Sequence, residues 1–238
     1  MFTKETLCSA FLQKQLDEKQ TLRTGYKQKR KSLTPSTINS LSLEITNQAL
    51  KLPIWEASFY HLYLTIKHLK EVETEPLLSV LYGRDKNIII SKSDILNGEM
   101  SYYLLKDNTT IKPNIWNIPE PQYGLQIKAS KLEVIFVPFL VFDKVGRRVG
   151  YGKGFYDGFL KNCPNTVKIG LFFFEADKKI KDIQPNDIVL LSYTKSDLSI
   201  LKEDFFEVLL LILHKISRPT PILIATSATL KTGLKNVK

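Results

Sequence analysis

A chain of 238 residues with 43% apolar and 24% charged residues can bury a sizeable core, which argues against intrinsic disorder and suits one large domain or a domain with an extension. The formal net charge of +10 calls for an anionic partner: a nucleic acid, a membrane surface or a phosphorylated small molecule. Two cysteines, Cys8 and Cys163, lie far apart in no metal-ligand spacing, so a disulfide scaffold is not expected and a reducing cytoplasm fits best. The opening Met1–Ala10 carries Lys4 and Glu5 and lacks an apolar core, so no secretory signal is read there. The longest aliphatic run, Val208–Leu213, falls far short of the roughly 20 residues of a spanning helix.

In chain order, Phe11–Leu33 reads as a helix with a strongly basic face: six basic residues and no acid lie between Lys19 and Lys31. Thr34-Pro35-Ser36 breaks it, and Pro35 suits the first turn of a second helix over Ser36–Leu50. Ser58–Ile66, rich in aromatic and β-branched residues, reads as a strand, and Val72–Leu81 as a helix ended by Gly83. Asn87–Ser91 is a short apolar strand, while Lys106–Gln126 has little periodicity and reads as loop. Leu132–Val141 and Val167–Phe174 are buried strands, separated by a glycine-rich loop over Gly146–Gly154 and a helix beginning at Phe155. Alternating strands and helices imply an α/β domain, a three-layer sandwich with a largely parallel central sheet flanked by helices.

The segment richest in chemistry runs from Gly146 to Asp157. Gly150, Gly152 and Gly154 at alternate positions let the backbone approach a ligand with its N–H groups inward. Arg148 and Lys153 add charge, and the helix that follows turns its positive end to the same place, as a phosphate chain requires. No Gly-Lys-Ser/Thr closes the loop, so it is not a Walker A motif, and the third glycine comes too early for the dinucleotide pattern. A plain strand-to-helix turn is the alternative. Asp143 and Asp157 flank the loop, and a carboxylate beside a phosphate cradle is a candidate magnesium ligand; a helix cap or a salt bridge is the bland reading.

The run Val137-Pro138-Phe139-Leu140-Val141-Phe142-Asp143, then Gly146, then Arg148 through Asp157, resembles the signature of the 5-formyltetrahydrofolate cyclo-ligase family, also called methenyltetrahydrofolate synthetases. Lys19, Leu22, Arg23, Arg30 and Leu33 resemble its N-terminal helix, Glu71–Thr74 its Glu-x-x-Thr segment, and Trp116–Pro121 its loop before the core strand. The resemblance implies that ATP, the co-substrate, is bound by Lys19, Arg23, Arg148 and Gly150 through Tyr156, including Tyr151, Gly152, Lys153, Gly154 and Phe155. It implies catalytic roles for Lys153 and Arg148, and folate contacts from Glu71, Trp116, Tyr151, Phe155 and Tyr156. Magnesium (Mg2+) would be held by Asp157 and by Asp187 in Gln184-Pro185-Asn186-Asp187. The implied partners are 5-formyltetrahydrofolate and ATP, with no nucleic acid or membrane, in a cytoplasmic monomer. A non-catalytic folate- or nucleotide-binding relative and a basic nucleic-acid-binding protein are the rival readings.

The chain departs from the family in places. Phe155 stands where Tyr is frequent, Gly158 where Arg is frequent and Lys153 where Gly is frequent. The expected division is a cyclo-ligase-like domain over 1–188 and an atypical tail over 189–238. The family closes on a Thr-Pro-x-x-Ile-Tyr strand that Val189–Leu198 does not show. One reading is a shifted frame, since codons for Tyr193–Leu198 can be chosen whose next frame encodes Thr-Pro-Asn-Gln-Ile. The other is an extension with a short helix over Glu203–Ile216 and a basic arm after Pro219.

Overall fold

The structure, a computed structural model, describes residues 4–94, 96–143, 146–177 and 179–181, the backbone alone for 4–17, and the backbone of strands at 193–194, 210–212 and 222–226. Helix α1 spans Lys4–Lys31 and α2 spans Pro35–Ala49. Between them the Thr34 hydroxyl accepts the Thr37 amide at 3.1 Å, and Pro35 opens α2 where its missing N–H costs nothing. The end of α1 is held from outside: Lys70, with φ +48°, donates its ammonium to the carbonyls of Lys31 and Leu33 at 2.7 and 2.6 Å. A cation there satisfies orphan carbonyls and complements the negative end of the helix.

Strand β1 is Phe59–His61, followed by helix α3 over Glu75–Gly83, β2 over Asn87–Asp94 and β3 over Glu99–Leu104. The Val72 start expected for α3 moves to Glu75. The Thr74 hydroxyl is engaged with Tyr63 and Thr65 inside the core rather than capping, and Pro76 sets the first turn. The loop reading of Lys106–Gln126 gives way in part to a two-strand ribbon, β4 over Ile111–Pro113 paired antiparallel with β5 over Pro119–Pro121. Strand β6 is Val134–Pro138, and β7 (Val141–Phe142) pairs with β8 (Arg148–Val149) to carry the chain into α4, Phe155–Lys161, and then β9, Val167–Phe172.

The main sheet has β9, β6, β1 and β2 parallel at its centre, with β3 antiparallel on β2. Beyond β9, the tail adds β12 (Ile222–Thr226) antiparallel to it, then β11 (Leu210–Ile212) and β10 (Tyr193–Thr194). The helix expected over Glu203–Ile216 is therefore corrected at Leu210–Ile212, because a short apolar run suits a strand as well as a helix and pairing decides. The remainder of that segment, and Asp187, lie outside the described residues.

The period of two along each central strand sends side chains to two cores. Tyr60, Ile88, Val134, Phe136 and Ile169 pack with α2 and α3, while Ile89, Ile135, Val137 and Phe172 pack with Tyr26 of α1 and Phe159 and Leu160 of α4. That is the three-layer α/β sandwich expected from the sequence. Among the described residues no helix is long and apolar enough to cross a membrane.

One core residue is a chemical anomaly. His61 is fully buried against the rings of Phe159, Tyr156 and Tyr102, and neither ring nitrogen has a hydrogen-bond partner among the described residues. Burial drives its pKa from 6.5 down to about 3; the Phe136 backbone offsets a little of this without reaching hydrogen-bond geometry. The folded state thus keeps His61 neutral while the unfolded chain takes up a proton below pH 6.5. Stability from this residue is present above pH 6.5 and drains as pH falls, by about 1.4 kcal/mol per pH unit, or about 2 kcal/mol by pH 5. Urea unfolding of wild type and His61→Leu at pH 7 and 5 should show the variant losing less stability on acidification; equal losses would remove His61 as the cause.

Candidate active site

The C-terminal ends of β1 and β6 open into a cavity of about 380 Å³, where ligands settle in open α/β sheets and of a size that suits a small-molecule site. Three elements supply its walls. Helix α1 presents Lys19, Arg23 and Lys27, one turn apart on one face, spanning about 12 Å along the axis. The glycine loop presents Arg148 and Gly150 through Phe155, and α4 adds Tyr156 and Asp157. The segments after β1 and around the β4–β5 ribbon supply Tyr63, Glu71, Trp116 and Glu120.

The loop's shape follows from its glycines. Gly152 has φ +91° and Gly154, capping α4, has φ +75°, both in the left-handed region that L side chains avoid. Gly152 is also needed for space, since a Cβ there would lie 3.2 Å from the Arg23 guanidinium carbon. That close approach lets Arg23 Nε donate to the Gly150 carbonyl at 3.1 Å, fastening α1 to the loop. Arg148, almost wholly buried, donates to Asp157 Oδ1 at 2.6 Å, while about a third of the Asp157 side chain remains exposed. Lys153 Nζ rests 5.0 Å from the centre of the Trp116 ring, and Trp116 meets Phe155 edge to face at 6.2 Å.

Buried polar groups complete the lining. Glu71 accepts the Ile66 amide at 2.9 Å. Burial raises its carboxyl above the ordinary carboxylate range, and the Arg30 charge pulls part of that back. Burial likewise lifts the hydroxyls of Tyr63, Tyr151 and Tyr156 well above the normal phenol value, so all three stay protonated. Glu120, also buried, accepts the Ser93 amide at 2.9 Å.

Of the residues expected from the sequence, Lys19, Arg23, Glu71, Trp116, Arg148, Gly150, Tyr151, Gly152, Lys153, Gly154, Phe155, Tyr156 and Asp157 all line this one cavity. Asp187 lies outside the described residues. Asp143, the other loop carboxylate, takes the bland role: it is fully buried and accepts the amides of Arg147 and Ile180 at 2.9 and 2.8 Å. Lys27, Tyr63 and Glu120 were not singled out from sequence. Lys27 continues the four-residue spacing of Lys19 and Arg23, which was a usable signal, whereas Glu120 falls within the Trp116–Pro121 segment whose resemblance to the family's loop was the only pointer to it.

Magnesium is held on nucleotides by one or two carboxylates together with phosphate oxygens and water, so the partly exposed Asp157 beside the glycine-rich loop fits such an ion. An all-protein cage does not fit: among the described residues no three His, Cys, Asp or Glu side chains gather.

The comparisons with known proteins point to one family. The family model described as 5-formyltetrahydrofolate cyclo-ligase matches residues 15–174, more than half of the chain. A Haemophilus influenzae protein, 5-formyltetrahydrofolate cyclo-ligase, is 29% identical over 164 residues, covering 66% of this chain and 86% of that one. The mouse (Mus musculus) protein of the same name is 29% identical over 152 residues, covering 61% and 74%. The solution structure of Aquifex aeolicus 5,10-methenyltetrahydrofolate synthetase superposes with a TM-score of 0.56 at 29% identity, over 64% of this chain and 76% of that one. A Mycoplasma pneumoniae 5,10-methenyltetrahydrofolate synthetase, at 20% identity and TM-score 0.55, shares the fold over 72% and 94%. With its signature loop, its basic helix and its sheet all matched, this chain belongs to the 5-formyltetrahydrofolate cyclo-ligase family.

Proposed function

We propose that this chain uses ATP to close 5-formyltetrahydrofolate into 5,10-methenyltetrahydrofolate, releasing ADP and phosphate. The observation that carries this reading is the sharing of one cavity by two kinds of wall. Cations and a glycine-rich loop line it together with aromatic rings and a buried carboxylate. A phosphate chain suits the first and a flat nitrogen heterocycle the second.

The chemistry asks for this arrangement. A formamide oxygen is a poor leaving group, and its attack on the γ-phosphorus of ATP breaks the bond to ADP and makes it a phosphate ester. The N10 nitrogen then attacks the formyl carbon, the carbon–oxygen bond breaks with its electron pair leaving on phosphate, and the N10 proton is lost to solvent. No side-chain nucleophile is needed; positioning and charge neutralisation do the catalysis. Lys19, Arg23 and Arg148 would hold the phosphates, and Lys153 with Arg148 would neutralise the phosphoryl group in transfer. Glu71, Trp116, Tyr151, Phe155 and Tyr156 would hold the folate. Asp157 and Asp187 would hold magnesium, which when bound neutralises phosphate oxygens and orients them. We place the catalytic unit in residues 1–188, working as a cytoplasmic monomer, with 189–238 as an appended tail.

Purified 238-residue chain mixed with 5-formyltetrahydrofolate, ATP and magnesium should gain the near-ultraviolet absorbance of the methenyl product. No gain, with nucleotide binding intact, would make the protein a non-catalytic relative instead.

A further inference from the structure

A second buried carboxylate lines the cavity beside Glu71, and the roles given so far do not use it. Glu120 is 4% exposed and stands in β5 between Pro119 and Pro121. Each proline fixes its own φ, and Pro121 also holds Glu120 to extended backbone, so the side chain leaves a stiff ribbon. Strand β2 runs on past β1, whose pairing with it ends at Ile89, and beyond that point Glu120 Oε1 accepts the Ser93 amide at 2.9 Å.

The other oxygen, Oε2, enters no hydrogen bond or ion pair among the described residues. Nor is it sealed in, since no Glu120 atom is among the unpartnered polar atoms shut off from solvent. In a residue this buried, the space that Oε2 faces is the cavity that Glu120 lines. A buried acceptor left unused costs free energy until a ligand supplies the donor. The Ser93 bond alone does not call for an acid, because a glutamine carbonyl would accept that amide as well.

Strands β2, β3 and β5 give the lining Ser91, Ser93, Met100, Pro119 and Glu120, with no cation among them, and Trp116 precedes β5. Apolar and aromatic groups beside acceptor oxygens suit a planar ring whose edge carries N–H donors. The proposed reaction brings two such rings. Adenine sets a donor next to an acceptor on each edge that carries its amino group, the pattern an amide side chain matches. The pyrimidinone edge of the tetrahydropterin sets its 2-amino group next to N3–H, two donors, and a carboxylate offers two acceptors.

We propose that Glu120 is a further folate-binding residue, which accepts the 2-amino and N3 hydrogens of the pterin ring and so selects that ring against adenine in this part of the cavity. This rests on the reading of the cavity as a folate site.

Titration calorimetry on the 238-residue chain tests it with three ligands: ATP, 5-formyltetrahydrofolate, and the folate analogue with methyl in place of the 2-amino group. Wild type should bind the analogue about tenfold or more weaker than 5-formyltetrahydrofolate, because the buried acceptor is left without its donor. Equal affinities would overturn the proposal without any variant having to fold. Glu120→Gln keeps an oxygen for the Ser93 amide and turns an NH2 group toward the ligand's donors. It should bind 5-formyltetrahydrofolate about 10–100-fold weaker and ATP within about twofold of wild type. Its preference for 5-formyltetrahydrofolate over the analogue should shrink to about threefold or less. Unchanged folate affinity, an equal loss of ATP, or wild-type preference retained in Glu120→Gln would each overturn the role. Preference lost in Glu71→Gln but kept in Glu120→Gln would assign the edge to Glu71 instead. Wild type that binds ATP but neither folate would sink the folate reading itself, and this proposal with it.

Discussion

Replacing Asp157 by Asn should lower magnesium-dependent turnover by about 10²–10³-fold, the scale seen when one charge-stabilising group leaves an active site. The side chain stands in the first turn of α4 at the cavity wall, beside the glycine-rich loop. It is the partly exposed carboxylate of the lining; Glu71 and Glu120 are buried, and Asp143 is committed to backbone amides. Stability should change little, within about 1 kcal/mol, because the ion pair with Arg148 is about one-third exposed on the Asp157 side and is screened. A second readout separates metal binding from folding. Without divalent metal, Asp157→Asn should bind ATP at least as tightly as wild type, since a negative charge near the phosphates is gone and Arg148 is released toward them. With magnesium the order should reverse. Wild-type turnover, or weaker ATP binding in the absence of metal, would take Asp157 out of this role.

The second large effect is expected at Gly152. Alanine there must hold φ +91°, at a cost of about 1–2 kcal/mol, and its methyl carbon would sit 3.2 Å from the Arg23 guanidinium. Arg23 would be pushed from the Gly150 carbonyl, separating the basic helix from the loop. We expect ATP affinity to fall by about 10–100-fold, corresponding to about 1.4–2.8 kcal/mol, with folate affinity reduced far less. Gly158, inside α4 with open space at its Cβ position, supplies the contrast. Gly158→Ala should stabilise the fold by up to about 1 kcal/mol and leave ATP binding alone. Titration calorimetry on the two variants checks both; equal effects would mean that the loop tolerates a side chain and does not wrap a ligand.

Local rules in the sequence settled a good deal about this protein. The α/β class came from strands and helices in alternation, and the stop at Thr34-Pro35 from the fixed geometry of proline and a hydroxyl able to cap. The glycine-rich loop at the cavity came from glycines at 150, 152 and 154 with cations beside them, and the basic face of α1 from charge spacing on a helix. These features depend on residues within a few positions of each other, so neighbours on the chain specify them. Tertiary structure alone decided what crosses the chain. It put Asp143 into backbone capping and Asp157 at the cavity, although both flank the same loop, because only packing determines which carboxylate is buried. It made a paired strand of Leu210–Ile212 and shortened α3 by engaging Thr74 in the core. It brought Arg30 to Tyr151, 121 residues away, and left His61 neutral among aromatic rings. Burial and long-range hydrogen bonding are properties of the assembled fold, since the free energy of a buried charge depends on every group around it rather than on its sequence neighbours.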